Sequence, residues 1–163
     1  MILAIDPGNE QSAFVLYDDG AIDDFGKQAN TEILEWIDNR EAWDPNHDCA
    51  AIAIEMIASY GMPVGREVFE TCVWIGRLVQ IADGLGVPVS LVYRKDVKLH
   101  LCNSPRANDA TIRQALIDRY GGKDKAIGKK ATPGPLYGIS ADVWSALAIA
   151  VTYAETRGEK AAA

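Results

Sequence analysis

Met1-Ile2-Leu3-Ala4-Ile5-Asp6-Pro7-Gly8 opens the chain, and its four apolar residues followed by an acid, a proline and a glycine govern how the rest is read. A run that is apolar at every position, not at alternate ones, predicts a strand buried on both faces, as in the middle of an α/β sheet. Proline cannot continue a central strand and glycine permits a tight turn, so the strand stops at Asp6. A carboxylate in that place is costly unless an arginine, a set of backbone N–H groups or a metal ion holds it. An Asx turn made by the Asp6 side chain is the alternative, and this segment alone does not choose between them.

The pattern recurs downstream. Cys49-Ala50-Ala51-Ile52-Ala53-Ile54 is again wholly apolar and ends in Glu55. Between the two runs, residues 11–17 read as a strand, Asp18-Asp19-Gly20 as a tight turn, and residues 21–25 as a return strand. A helix over 31–40 follows, with Leu34 and Ile37 turned inward. Two strand-end acids in one small sheet suggest a shared site, because adjacent parallel strands deliver their ends to one edge. Residues 56–65 would overhang that edge. Tyr60 and Met62 there suit either stacking on bases or packing the loop onto the body.

Residues 66–83 predict a long helix with an unusually wide apolar arc: Val68, Cys72, Ile75 and Val79, broadened by Phe69, Trp74, Leu78 and Ile81. Such excess implies a fully buried helix or a homodimer contact. A strand over 87–93, a short helix over 94–101 and an amphipathic helix over 110–120 come next. Residues 121–138, rich in glycine, proline and lysine, read as a mobile basic loop. The final helix spans 139–156, with Asp142 in its first turn, where the helix dipole by itself favours an acid. One domain over 1–158 with a frayed tail over 159–163 is expected.

The net charge of −7 conceals a strong asymmetry. Residues 94–130 hold ten of the sixteen Lys and Arg against four acids, a net +6, leaving −13 elsewhere. One surface is therefore suited to a polyanion and another repels it. The three cysteines are widely spaced without a CxxC pair, which predicts core packing in a reducing cytoplasm and neither disulfide scaffold nor zinc site. No 18-residue apolar stretch or signal sequence is visible, so no membrane partner is expected.

Taken together, Ile5-Asp6-Pro7-Gly8, Ile52-Ala53-Ile54-Glu55 and Asp142-Val143-Trp144-Ser145-Ala146-Leu147-Ala148-Ile149-Ala150, in that order, resemble the RuvC-type Holliday-junction resolvases of bacteria and their phages. The resemblance spans nearly the whole chain. It implies a ribonuclease H-like α/β fold, with a mixed five-stranded sheet (three antiparallel strands, then two parallel) flanked by helices. It also implies a homodimeric endonuclease that resolves branched DNA with two Mg²⁺ ions per site, Mn²⁺ substituting. Asp6 would bridge the ions, Glu55 would serve the water side and Asp142 the leaving-oxygen side, or the reverse. DNA contacts would fall to Tyr60, Lys98, Arg106, Arg113, Lys123, Lys125, Lys129 and Lys130. One departure stands out: where these resolvases carry another acid or a histidine one turn after the first, this chain has Ser145. It shares the helix face of Asp142 but reaches an ion at most through water. Glu10 and Asp109 are conceivable substitutes. A ribonuclease or flap nuclease of the same fold, and a DNA-binding module with weakened catalysis, are the other readings. An actin-like sugar kinase would need two such domains, for which the chain is too short.

Overall fold

A computed structural model of the chain describes residues 1–39, 51–59 and 61–161. Strands β1 (Ile2–Asp6), β2 (Gln11–Asp18) and β3 (Ala21–Ala29) form an antiparallel meander. Helix α1 (Asn30–Asp38) leads towards β4 (Ala51–Met56), which lies parallel to β1. Helix α2 (Arg66–Gly84) returns the chain to β5 (Val89–Tyr93), parallel to β4. The sheet order is β3-β2-β1-β4-β5, the mixed arrangement expected from the sequence. Beyond it come α3 (Arg94–Cys102), α4 (Asp109–Arg119) and α6 (Val143–Ala161).

The sheet's two faces are filled differently. Leu3, Ile5, Phe14, Leu16, Ile52 and Ile54 pack under α1 and α2. Their neighbours Ala4, Ala13 and Ala53 turn to the opposite face, against α6, α4 and α3. Alternation along a strand puts residues i and i+2 on one face, so β1 and β4 each carry bulky residues towards one layer and alanines towards the other. Helix α6 answers with Ala146 and Ala150, about one turn apart on one helix face and both fully buried. Small side chains on both sides let this helix lie close over the middle of the sheet.

Three expectations are corrected here. Residues 121–138 are not a loose loop: they form a short helix α5 (Lys123–Ala126) and a hairpin of β6 (Gly128–Lys129) and β7 (Thr132–Pro133). Buried Ala126 and Leu136 anchor it, and a Cβ at Gly134 would stand 2.2 Å from the Lys125 carbonyl oxygen, so glycine there permits the close fold-back. Helix α6 starts at Val143, not 139, because Ala141 adopts a left-handed φ of 42° that interrupts the helical path. Finally, of the two alternatives for α2, the wholly buried helix is excluded. Thr71, Ile75, Leu78 and Ala82 face the sheet, whereas Phe69 and Val73 are each 63% exposed. The expected strand start at Cys49 and the end of the first helix at Arg40 lie outside the described residues.

The turn after β1 is fixed by a buried polar network. Ser12 Oγ donates to Asn30 Oδ1 (2.6 Å) and accepts from the Gly8 N–H (3.3 Å), while Asn30 Nδ2 donates to the Gly8 carbonyl (2.9 Å). Gly8 is required by proximity, since a Cβ there would lie 2.4 Å from the Gln11 oxygen. Asn30→Ala would strand both Ser12 and the Gly8 carbonyl, and should lower stability by about 1–3 kcal/mol in urea unfolding. An unchanged midpoint would show that the network does not hold this turn.

Candidate active site

The sheet register builds the site one strand at a time. Ala4 and Ala53 face α6, so Asp6 and Glu55, two residues further on, face it too. β1 and β4 are paired in register through Ile5 and Ile54, so the next step brings Asp6 and Glu55 side by side. β5 repeats the pattern: Val92 is buried on the α6 face, and Arg94 follows two residues later at the start of α3. Across β2, Lys27 is aligned with Ala13, and Ala13 with Asp6. One edge of the sheet thus carries Lys27, Asp6, Glu55 and Arg94 in spatial order, all towards the α6 layer.

The two carboxyl groups lie within hydrogen-bonding reach of each other. Burial, then the charge of Glu55, then that of Asp142, push the Asp6 carboxyl up to about 7, with Arg94 opposing. Burial also raises Glu55, against the pull of Arg94, of the Asp6 hydrogen bond and of Lys98. Arg94 Nη1 lies 3.8 Å from Glu55 Oε2 and donates to Ser145 Oγ at 3.2 Å, while its Nη2 binds Asp109 Oδ1. Asp142 stands immediately before α6, its carbonyl accepting the Ser145 and Ala146 N–H groups. It is not inside the first helical turn, and its carboxylate pairs with Lys27 Nζ at 2.5 Å.

Two cavities meet at Asp142. One of about 440 Å³ is lined by Asp6, Gly8, Asn9, Glu10, Lys27 and Asp142. The other, about 680 Å³, is lined by Arg94, Asp109, Arg113, Lys123, Asp142, Trp144 and Ser145, among others. The Arg113 guanidinium stacks 4.8 Å over the Trp144 ring. Of the predicted contact residues, Arg113 and Lys123 therefore border the acids, and Lys98 lies within electrostatic reach of Glu55. Arg106, Lys125, Lys129 and Lys130 are exposed and line neither cavity. Tyr60 lies outside the described residues. Sequence reasoning missed Lys27 and Arg94. The signal for Arg94 was present, since it ends the third strand of a parallel set whose first two end in acids.

Neither the protein-family models nor the curated proteins yield a match to the sequence. Solved structures do. Thermus thermophilus RuvC, in complex with a Holliday junction substrate, superposes with a TM-score of 0.66 at 20% identity, covering 94% of this chain and 92% of that one. The Fowlpox virus resolvase, in complex with Holliday junction DNA, gives 0.54 at 14% identity, covering 96% and 99%. The chain has the ribonuclease H-like fold of these resolvases. Within that fold, Asp6, Glu55 and Asp142 occupy one edge, while Ser145 faces Arg94.

Asp6 holds its proton more tightly folded than unfolded. Its contribution therefore favours the fold below its ordinary value of 3.8 and is lost as pH rises towards 7. In EDTA, Asp6→Asn should stabilise the protein at pH 8 by roughly 2 kcal/mol, the gain shrinking towards pH 4. A gain independent of pH in urea titrations would show that buried charge is not its source.

Proposed function

We propose that the chain is a divalent-metal-dependent endonuclease that cleaves branched DNA, four-way junctions in particular. The observation that carries this reading is the Asp6–Glu55 pair at the ends of adjacent parallel strands, with Asp142 at the head of the helix above them, in a fold shared with two junction resolvases.

The donor chemistry suits a hard divalent ion: carboxylate oxygens, with those of Asp6 and Glu55 already side by side. Among the described residues no three His, Cys, Asp or Glu side chains are grouped for coordination as they stand. Asp142, half exposed and paired with Lys27, must turn towards Asp6 to complete the set. Asp6, Glu55 and Asp142 would then hold the ion. Bound Mg²⁺ or Mn²⁺ supplies an activated water at neutral pH and relief of charge on the phosphoryl group. Lys27, released by Asp142, presents a cation beside the acids. Arg113 and Lys123 line the larger cavity, and the exposed lysines of α5 and the hairpin continue the basic surface, where a phosphate backbone would be neutralised.

A four-way junction has near two-fold symmetry, so two sites in a symmetric dimer would make paired nicks. The exposed Phe69 and Val73 on α2, with Met62 72% exposed just before it, form the apolar surface that such a dimer would cover. Trp74, also in the predicted interface, instead packs partly into the body with the Arg77 guanidinium 4.2 Å over its ring. Val73→Glu should give monomers in sedimentation, whereas intact dimers would move the interface elsewhere.

The catalytic reading is tested with Asp6→Asn on a four-way junction in Mg²⁺ or Mn²⁺. Cleavage should fall by at least about 10³-fold with junction binding retained. Absence of cleavage by the unaltered protein would leave a binding module. Faster cleavage of flaps or RNA–DNA hybrid than of junctions would reassign the substrate within the same fold.

A further inference from the structure

Ser145 removes a negative charge from the site, and Arg94 adds a positive one at the same spot. The Arg94 guanidinium lies between Glu55 Oε2 (3.8 Å) and Ser145 Oγ (3.2 Å), with Asp109 on its outer side. Its position is not incidental. β5 runs parallel to β4 with Glu55 aligned to Val92, and the Tyr93 backbone is still extended, so Arg94 leaves the strand on the face that carries Glu55. The Arg94 side chain is only a quarter exposed and Glu55 is 15% exposed, so the two charges meet largely out of water. An acid at position 145 would close an acidic ring around this point and call for a second cation. With serine there, Glu55 is instead neutralised by a cation that belongs to the chain.

We infer that Arg94 takes the place of the second metal ion, so that the site binds one divalent ion, through Asp6, Glu55 and Asp142, and not two. This rests on the nuclease reading above and refines it. A guanidinium has five N–H donors, and the contacts to Glu55, Ser145 and Asp109 leave others free. Arg94 also lines the 680 Å³ cavity together with Arg113 and Lys123, so those donors face the space in which a phosphodiester would lie. Asp109 is 85% exposed and sits on the guanidinium as a phosphate oxygen would. The one charge that Arg94 supplies is fixed in place, whereas an ion would have to be recruited from solution.

The competing account gives Asp109 the role of the missing acid, with Arg94 only tying α4 to the sheet. Ion counting separates the two. Calorimetric titration of the full chain with Mn²⁺ should give one ion per chain. Arg94→Met should keep that count and tighten Mn²⁺ binding by about tenfold, because a like charge beside Glu55 is gone. Arg94→Lys, which retains the charge, should stay within about threefold of the unaltered protein. Arg94→Met combined with Ser145→Asp should bind two ions. Circular dichroism establishes that each variant is folded, and the Lys variant provides the measurement should the Met variants not be. Two ions in the unaltered protein, falling to one in Asp109→Asn, would overturn the inference in favour of Asp109. Equal Mn²⁺ affinity in the Met and unaltered proteins would overturn it as well. No Mn²⁺ binding by the unaltered protein would instead defeat the nuclease reading itself, and this inference with it.

Discussion

Two carboxylates side by side at a buried sheet edge repel each other and resist desolvation, and the rest of the site is arranged around that cost. Parallel pairing leaves no freedom in the matter. Strands about 4.8 Å apart, each ending in an acid on the same face, bring Asp6 and Glu55 within hydrogen-bonding reach. Without an added cation the structure meets the cost in two ways. Asp6 holds its proton up to about 7, and cations flank the pair: Lys27 towards β3, reaching Asp142, and Arg94 towards β5, reaching Glu55. Positive, negative, negative, positive is the order along one edge from β3 to β5, with β2 contributing only Ala13 between Lys27 and Asp6.

What allows a third acid to join them is the alanine face of the sheet. Ala4, Ala13 and Ala53 pack in one core with α6, whose Ala146 and Ala150 share a helix face, so α6 lies near the strands and its first residues stand over their ends. The left-handed Ala141 stops the incoming chain just before the helix and leaves Asp142 at its threshold. Its carbonyl already receives the first helical N–H groups, so its carboxylate is free to pair with Lys27. Larger side chains on this face would hold the helix off and separate Asp142 from Asp6. The same sheet tolerates bulky Leu3, Ile5, Ile52 and Ile54 on its other side, where no chemistry depends on the spacing.

Which parts of this were legible in the sequence follows from how local each signal is. Strand-end acids can be read because an apolar run broken by Asp-Pro-Gly states both the strand and its stop, and Ile-Ala-Ile-Glu repeats the statement. The ion pair of Lys27 with Asp142 joins residues 115 positions apart, and nothing near either one announces it. Arg94 was counted only as one basic residue among ten, because charge composition does not register that it ends a parallel strand. The segment over 121–138 read as loose because glycine and proline ordinarily mark irregular chain. Here Gly128 and Gly134 instead permit contacts that a side chain would block, and Leu136 pins the hairpin down. The exposed outer face of α2 is a case where hydrophobicity was legible but its direction was not.

The lopsided charge of the sequence becomes, in the fold, a difference between two faces. Helices α1 and α2, on the bulky side of the sheet, carry Glu32, Glu35, Asp38, Glu67, Glu70 and Asp83 against Arg66 and Arg77. Helices α3, α4 and α5 lie in the α6 layer and carry Arg94, Lys95, Lys98, Arg113, Arg119, Lys123 and Lys125. The acids of the site point to this second layer, so Asp6, Glu55 and Asp142 sit beside a surround in which bases outnumber the acids Asp96, Asp109, Asp118 and Asp124. A polyanion drawn to the surround would be repelled by what negative charge Arg94 leaves on the cluster until an ion neutralises it. On the proposed function, that local repulsion within a broad attraction ties productive seating of a phosphodiester to a loaded site. On the same proposal, the α1 and α2 face, acidic and apolar by turns, would suit a protein neighbour better than DNA.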